Sequence, residues 1–594
     1  MKLLPSSWPS GDEAKAVGFF AQAALELVHE KSWESYKLQT LSPLWRMHEV
    51  RVVSTTVIKG ILPFKALEPI VDEANSTFCA DQACKLIFTK KEMEVEDLIF
   101  GKDDKPQDLL SHASFLHKVC AEQYREVSEN LLVEECFGHR RRSNIYSLLS
   151  NYFSHLVLEG HSREFIEEMV RESFFNQPVK KVDKNTLRWF FKKFPTRDRS
   201  FRVFGEANPE LVATLEKLIE VNVVNSVNVP RKLKKDFPPA KGSIYFSIDE
   251  EARDRYSAGY RAAQILEIGI AVLVLFPSDG FGVLPNFLYV TQKDKSEYIS
   301  VPSKPKFSRR ILSHSAKSAA RHMERVESLL INSQRTHRLE EIIGSDFLRA
   351  VITASLADNS SKFEVKLLTL WAAFEALLPL VPDSATNRIS HFIDYIVPAV
   401  CLSYARDCFV EFSRDAERLH HIDFRNFLDS IPGELRPADK VAAVVINGSI
   451  IQKEHICSVF RNNPLALYRL KNLEDKFSSP ANFERTLGAH SQKVKWQVQR
   501  IYRERNTVMH NGQSSPFVRQ LLSNCYFYFQ TTFTSIETVS KSYGGLSTVQ
   551  SLSAIRKLHQ SDFLKLRRAK AIENKSPIES QAILLDLVSG HFRR

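Results

Sequence analysis

The sequence predicts an α+β multidomain protein in which a mixed α/β N-terminal region is followed by an all-α helical domain. The chain has 594 residues, which is more than one hydrophobic core usually spans. Short β-rich pieces are concentrated between residues 185 and 302. After Ser315 almost every segment has helical periodicity, and proline stands mainly between the periodic runs.

The N-terminal half combines both kinds of pattern. Asp12 is a suitable cap for a helix that runs through Val28, and Arg51 to Ile58 reads as a strand-like interruption of a mostly helical region. Further on, the pieces F-R-V-F, S-I-Y-F-S-I and F-L-Y-V-T predict strands around one alanine-rich helix that begins near Asp249. These changes predict four regions: 1–160 mostly helical, 161–310 mixed α/β and assigned to sensing or regulation by elimination, 311–545 all-α, and 546–594 a helical tail.

Charge and cysteine usage bound the class of protein. The formal net charge is +11 and the pI is about 9.1, which favours a polyanionic partner, although a solvated and mildly basic surface explains the excess about as well. The eight cysteines form no C-x-x-C pair, which indicates a reducing compartment. The longest apolar run, Ile265 to Phe276, is too short for a bilayer that needs about 20 residues. We therefore expect a cytoplasmic protein with no membrane partner.

Metal and nucleotide chemistry are disfavoured by the motifs. Zinc-ligand types occur at irregular spacing in one stretch that holds Cys79, Cys84, His112, His117 and Cys120, and buried thiols explain it better. The chain has no G-x-S-x-G elbow, no P-loop and no G-x-G-x-x-G. We expect no metal and no cofactor.

The most specific segment is R-N-T-V-M-H-N-G, Arg505 to Gly512, which ends a helical run. At about 100° per residue, His510 closes a polar stripe that starts at Trp496, whereas Arg505 interrupts an apolar stripe. Asn511-Gly512 is a helix stop, so His510 should lie in the last turn.

This pair suits RNA cleavage by internal transfer. Histidine exchanges protons near neutral pH, and a guanidinium stabilises the negative charge that grows on the phosphate oxygens. Asn506, one turn before His510, can orient the ring or the phosphate. One helix supplies a single histidine although the reaction benefits from an acid and a base, so we expect a homodimer, or a higher even-numbered oligomer, with a composite site.

An apolar helix upstream offers a partner for the arginine. The run L-L-T-L-W-A-A-F-E-A-L-L-P, Leu367 to Pro379, places Glu375 at the edge of its apolar face. A part-buried carboxylate there needs a cation, which either Arg505 or Arg388 can supply.

The last 260 residues or so resemble the HEPN superfamily, and within it the Apea-like HEPN proteins of bacterial anti-phage defence. The motifs that carry the resemblance are W-A-A-F-E-A-L-L, N-N-P-L-A-L-Y-R-L-K-N-L and W-Q-V-Q-R-I-Y-R-E-R-N-T-V-M-H-N-G. The resemblance implies a metal-independent endoribonuclease that acts as an abortive-infection effector on RNA, tRNA among the candidate substrates, and that responds to a phage-derived trigger. It implies catalytic roles for Arg505, His510 and Asn506, with Glu375 and Arg503 in support.

Each of these roles has a competing interpretation. Arg505 can be a structural partner of Glu375 in an inactive HEPN module that binds RNA or a partner protein, and a plain scaffold is a third class. Cations alternate with aromatics from Lys180 to Arg202, as in single-stranded nucleic-acid platforms, although W-F-F also looks like core. This segment predicts RNA contacts at Lys192, Lys193 and Arg197. On the helix of the motif, Arg500 and Arg503 are candidate phosphate contacts, although a solvated basic face explains them almost as well.

Overall fold

The structure is a computed structural model of the chain. It describes residues 2–28, 41–101, 104–176, 179, 181–218, 222–223, 229, 235, 238, 242–275, 285–292, 298–302, 346–360, 362–379, 388–512, 514–515, 517–543 and 546–590. The predicted boundary at 310/311 and Lys180 lie outside the described residues. None of the described helices combines the length and apolar content that crossing a bilayer requires.

The N-terminal part is helical. Its helices are α1 (Asp12–Val28), α2 (Pro43–Ile58), α3 (Glu68–Ala80), α4 (Gln82–Thr89), α5 (Pro106–Ala121), α6 (Tyr124–Glu134), α7 (Arg142–Leu158), α8 (Arg163–Phe174) and α9 (Lys184–Phe191), with short turns of helix at Phe64–Ala66, Val95–Leu98 and Glu135–His139. Two cores form here. One lies among α2 to α6, and the other joins α1, α6 and α7 to α8 and α9, so the helical core continues past residue 160.

The strand predicted at Arg51 to Ile58 is wrong, because these residues form the second half of α2. Ser42 caps this helix by accepting a hydrogen bond from the Trp45 backbone N–H, and Pro43 stands in the first turn, where its missing N–H costs nothing. Leu44, Met47, Val50 and Val53 follow at three-residue spacing and are all buried. Burial along one helical face therefore outweighs the β-propensity of the valines and threonines.

A five-stranded antiparallel sheet follows, and the three predicted strands are confirmed. The strands are β1 (Arg199–Ala207), β2 (Asn222–Val223), β3 (Ile244–Ala252), β4 (Phe287–Gln292) and β5 (Tyr298–Pro302), in the order β2-β3-β1-β4-β5. Two helices, α10 (Pro209–Leu218) and α11 (Arg255–Leu275), pack with this sheet around one apolar core.

The long helix of this unit begins later than predicted. Asp249 lies within β3 and pairs with Arg202 on β1, so the helix cannot start there. Asp254 instead caps α11, because its Oδ1 accepts hydrogen bonds from the backbone N–H groups of Tyr256 and Ser257.

The described residues after 345 form only helices. They are α12 (Asp346–Asn359), α13 (Phe363–Leu377), α14 (Arg388–Cys401), α15 (Tyr404–Leu419), α16 (His421–Asp429), α17 (Pro437–Asn447), α18 (Ile450–Val459), α19 (Pro464–Phe477), α20 (Pro480–Asn511), α21 (Val518–Ser542), α22 (Thr548–Ile572) and α23 (Pro577–Ser589). The predicted tail is part of this region's core, since Leu552, Ile555, Leu566 and Leu584 on α22 and α23 are fully buried in it.

The N-terminal helices pack directly on the C-terminal helices. Leu465, at the start of α19, lies in the core of α1 and α7, and its backbone N–H donates to Gln22 Oε1 at 3.2 Å. One turn later Arg469 forms a buried ion pair with Glu26. The motif N-N-P-L-A-L-Y-R-L-K-N-L thus contributes to the contact between the two helical parts.

Candidate functional site

The candidate site lies at the C-terminal end of α20, whose limits follow from its caps. Ser479 Oγ accepts from the Asn482 backbone N–H at the start of this helix. At its end Gly512 adopts a left-handed conformation with φ of 65°, and its N–H donates to the Val508 carbonyl. The predicted stop at Asn511-Gly512 is confirmed, and His510 lies in the last turn.

The two predicted stripes of α20 are also present. Val494, Val498, Ile501 and Val508 are buried in the core of the C-terminal helices, whereas Arg505 on the same stripe is only half-buried. His510 is exposed. Arg505 therefore lies at the edge of the core, whereas His510 faces solvent.

Glu375 on α13 holds the guanidinium of Arg505. The carboxylate Oε1 lies 3.9 Å from Arg505 Nη2 and 3.4 Å from Arg388 Nη2, so both predicted cations face it. Trp371 Nε1 donates to the same oxygen at 3.0 Å. About a quarter of the Glu375 side chain is exposed, so this is a half-buried anchor with one carboxylate between two arginines.

Asn506 is hydrogen-bonded to the Arg505 guanidinium. Its Oδ1 accepts a hydrogen bond from Arg505 Nη1 at 3.0 Å. In this structure Asn506 therefore orients the guanidinium rather than the His510 ring. Its amide N–H2 group is the part that can donate to a phosphate oxygen.

The loop after His510 is tied to three helices. The backbone N–H of Ser515 donates to Glu504 Oε1 at 2.6 Å, and Ser514 Oγ donates to Glu364 Oε1 on α13 at 2.6 Å. The ring of Phe517 packs edge-on against Trp45 of α2, with centroids 4.3 Å apart. Burial raises the pKa of the Glu504 carboxyl, while the Ser515 N–H opposes that shift.

Arg500 lies inside a buried charge cluster and not on an RNA-facing surface. Its guanidinium donates to Glu49 Oε1 and Oε2 at 3.0 and 2.8 Å, and its Nη1 lies 3.5 Å from Glu73 Oε1. Arg46 pairs with Glu73 on the other side. Because these partners exclude solvent from Arg500, we withdraw it as an RNA contact.

Arg503 belongs to the same cluster, which we call the Glu49–Arg500 cluster. Its Nη2 donates to Glu49 Oε1 at 2.7 Å. Burial alone would raise the pKa of Glu49, but Arg500 and Arg503 outweigh it and hold the pKa of this carboxyl well below its usual range. Arg503 therefore fastens α20 to the N-terminal helix α2, and its guanidinium is engaged by a carboxylate rather than presented to solvent as a phosphate contact.

The remaining predicted RNA contacts belong to α9 and the turn after it. Lys192 and Arg197 are exposed. Lys193 lies 3.6 Å from Glu172 Oε2 and has its Nζ 4.2 Å from the centre of the Trp189 ring. These side chains form a surface on a different element from Arg505 and His510.

Of the five zinc-type residues, Cys84 and Cys120 lie in the N-terminal core, whereas Cys79, His112 and His117 are half-buried. All eight cysteines are free thiols, and Cys84 and Cys120 are fully buried. Burial raises the pKa of the Cys84 thiol well above its usual range. Within the part of the chain that the structure describes, no group of three or more His, Cys, Asp or Glu side chains is arranged to hold a metal ion.

One imidazole near Arg388 was not predicted from the sequence. His391 lies one turn after Arg388 on α14, and its Nε2 is 2.8 Å from the Pro379 carbonyl at the end of α13. Its sequence signal is weak, since R-I-S-H has no special spacing. The backbone carbonyl holds this ring at the C-terminal end of the helix that carries Glu375.

Comparisons with known proteins give no relative: no family model, no curated protein and no solved structure matches the chain. The HEPN resemblance therefore rests on the motifs themselves.

Proposed function

We propose that the chain is a metal-independent endoribonuclease of the HEPN type, with Arg505, Asn506 and His510 as its catalytic residues. The observation that supports this best is the environment of Arg505, which donates a hydrogen bond to Asn506 and faces the Glu375 carboxylate at 3.9 Å, about one and a half turns before an exposed histidine. A guanidinium and a solvent-facing imidazole near one helix end are the two kinds of group that phosphodiester cleavage needs.

The proposed reaction is an internal transfer. The 2′-oxygen of RNA attacks the adjacent phosphorus while the bond from phosphorus to the 5′-oxygen breaks. An imidazole takes the 2′-hydroxyl proton, and an acid gives a proton to the leaving 5′-oxygen. The products are a 2′,3′-cyclic phosphate and a 5′-hydroxyl, so atoms and charges balance without a further reactant.

Arg505 acts on the phosphate during this step. Its guanidinium stabilises the negative charge that develops on the non-bridging oxygens, and the Asn506 amide N–H2 donates to one of them. Glu375 is a positioning residue in this scheme, because it contacts Arg505 and not the substrate. A preoriented arginine is worth more than a mobile one, since no free energy is spent on ordering it during the reaction.

The second proton-transfer group comes from a second copy of the chain. Each α20 carries one histidine in its last turn, and a two-fold axis that brings two of these helix ends together supplies an acid and a base. The proposed active species is accordingly a homodimer or a higher even-numbered oligomer.

Single substitutions test the site. His510→Ala and Arg505→Ala should each lower RNA cleavage in excess chelator by at least about 100-fold, as loss of a general base or of a charge-stabilising donor does. His421→Ala removes an exposed histidine from α16 and should leave cleavage unchanged. Cleavage that persists in the His510 variant would contradict the assignment, as would full activity in a strictly monomeric sample.

An inactive RNA- or partner-binding module is the second candidate. It is favoured by the same ion pair, since Arg505 already has a carboxylate partner and can serve packing alone. A purified chain that binds RNA without cutting it, with binding unaffected by His510→Ala, is the result that selects this alternative.

The biological role follows from the resemblance. We propose a cytoplasmic anti-phage effector that causes abortive infection by cutting RNA, with tRNA as one candidate substrate. A phage-derived trigger would act through the N-terminal half, which contacts α20 through Glu49. Cells that express the chain should resist phage only when Arg505 and His510 are intact.

A further inference from the structure

The outer face of α9 is exposed and carries no apolar residue except one tryptophan. Leu187, Phe190 and Phe191 are buried on the inner side of this helix, so the core interpretation of W-F-F holds for its two phenylalanines. The exposed positions fall within about 140° of the helix circumference at 100° per residue. They are Lys184, Asn185, Arg188, Trp189 and Lys192.

Trp189 is the unusual member of this face. It is 59% exposed, although burying an indole side chain normally stabilises a protein. Lys193 holds its ammonium over one face of the indole, 4.2 Å from the ring centre, so a base would stack on the opposite face. An exposed aromatic with a flanking cation is the unit on which single-stranded nucleic acids stack.

Charge on this surface is one-sided. Residues 181–199 contain seven Lys and Arg against two carboxylates, Asp183 and Asp198. Both carboxylates are engaged, because Asp183 accepts from the Thr186 backbone N–H and Asp198 lies 3.2 Å from Arg253. Glu172 on α8 partners Lys193 at 3.6 Å, so the positive charge available to an anionic partner comes mainly from the other cations of this segment.

We infer that this face binds a single-stranded nucleic acid, with a base stacked on Trp189 and backbone phosphates held by Arg188, Lys192 and Arg197. A base can stack on the indole only when its face is not covered by a neighbouring base pair, which favours a single strand over a duplex. A lone aromatic among cations presents too little apolar surface for membrane insertion.

A single-stranded nucleic acid bound on the α9 face would have a short path to the candidate site. Helix α8 contacts Lys193 through Glu172 and contacts Arg519, in the first turn of α21, through Glu164 at 3.0 Å. Eight residues of helix separate the two glutamates, which is about 12 Å. Arg519 follows the loop after His510, so the α9 face is a candidate for presenting RNA to that site. This presentation rests on the proposed function, whereas the binding itself does not.

The test measures binding apart from cleavage. A fluorescein-labelled 20-nucleotide single-stranded RNA is titrated by anisotropy with the full chain carrying His510→Ala, so that the probe survives. In this background Trp189→Ala should weaken binding about 10-fold or more, the loss expected for one stacked base. Trp189→Phe keeps an aromatic ring and should restore most of the affinity.

Matched controls separate stacking from general damage. Phe115→Ala removes an aromatic on α5 that is 46% exposed and should leave the affinity unchanged. The double charge reversal Lys192→Glu with Arg197→Glu should weaken binding and flatten its salt dependence. A duplex of the same sequence should bind more weakly than the single strand.

Three outcomes overturn this inference: equal affinities for Trp189→Ala and Phe115→Ala, a duplex that binds as tightly as the single strand, or no binding by the parent chain. None of them concerns catalysis, which is read separately from cleavage by the wild-type chain. A wild-type chain that binds the RNA but does not cleave it would instead reject the proposed ribonuclease.

Discussion

Replacing Arg500 with methionine removes the cation that two buried glutamates share. Glu49 keeps Arg503 at 2.7 Å and Glu73 keeps Arg46, so neither carboxylate is left without a positive neighbour. Removing one member of a buried ion pair costs about 3–5 kcal/mol, and the remaining arginines place this change at the lower end, about 3 kcal/mol. Methionine retains the apolar stem, which limits the loss to charge and hydrogen bonds.

Hydrogen exchange measures this cost at the interface. Arg500 joins α20 to α2 and α3, so a loss of about 3 kcal/mol should raise the population of the opened interface by roughly 100-fold. Backbone amides of Pro43–Ile58 should exchange faster by a similar factor. The amides of β1, which belongs to a separate core, should keep their rates.

The matched control is an ion pair on the surface. Arg568 lies 3.0 Å from Glu579, but the two side chains are 70% and 50% exposed. Arg568→Met should therefore cost no more than about 1 kcal/mol. Equal exchange rates in the Arg500 and Arg568 variants would refute the idea that the Glu49–Arg500 cluster fastens the N-terminal helices to α20.

Two further predictions concern the glycine that ends α20 and the melting temperature at acid pH. Gly512→Ala should cost about 1 kcal/mol through backbone strain, since its φ is 65° and no atom of the described residues lies within 4 Å of the new Cβ. Gly60→Ala, with φ of 72° and equally open space among the described residues, should cost the same in thermal melts. Only the first substitution should slow RNA cleavage, because Gly512 follows His510 by two residues. In the folded chain, arginines lower the pKa values of Glu49 and Glu73 against the opposing effect of burial, so the stabilisation from these carboxylates is complete above the unfolded value of about 4.3 and is lost as the pH falls below it. The melting temperature of the helical part should therefore drop between pH 4 and pH 3, and an unchanged melting temperature over this range would contradict the role of these two groups.

Sequence patterns within a single helix were sufficient to predict the features that depend on that helix alone. The position of Arg505 on an apolar stripe and the stop at Gly512 follow from helical geometry and from glycine's freedom at positive φ, and both are present. The contact between Glu375 and Arg505 could also be predicted, because a carboxylate at the edge of an apolar helix face needs a cation nearby.

Long-range partners were not within reach of such reasoning. Arg500 meets Glu73 and Glu49 across 427 and 451 residues of sequence, so no periodicity reveals that its charge is buried. The same holds for Trp189, since W-F-F gives no sign that its tryptophan faces solvent while both phenylalanines face the core. At Arg51 to Ile58 the local β-propensity pointed to a strand, and burial against α5 prevailed.

The ends of the RNA fragments provide the most direct test of internal transfer. A purified wild-type chain is incubated with a single-stranded RNA in excess chelator, and the termini are identified by mass spectrometry. Attack by the 2′-oxygen predicts a 2′,3′-cyclic phosphate and a 5′-hydroxyl, both absent when His510→Ala replaces the wild type. Fragments with a 3′-hydroxyl and a 5′-phosphate, or no fragments at all, would contradict the proposed chemistry.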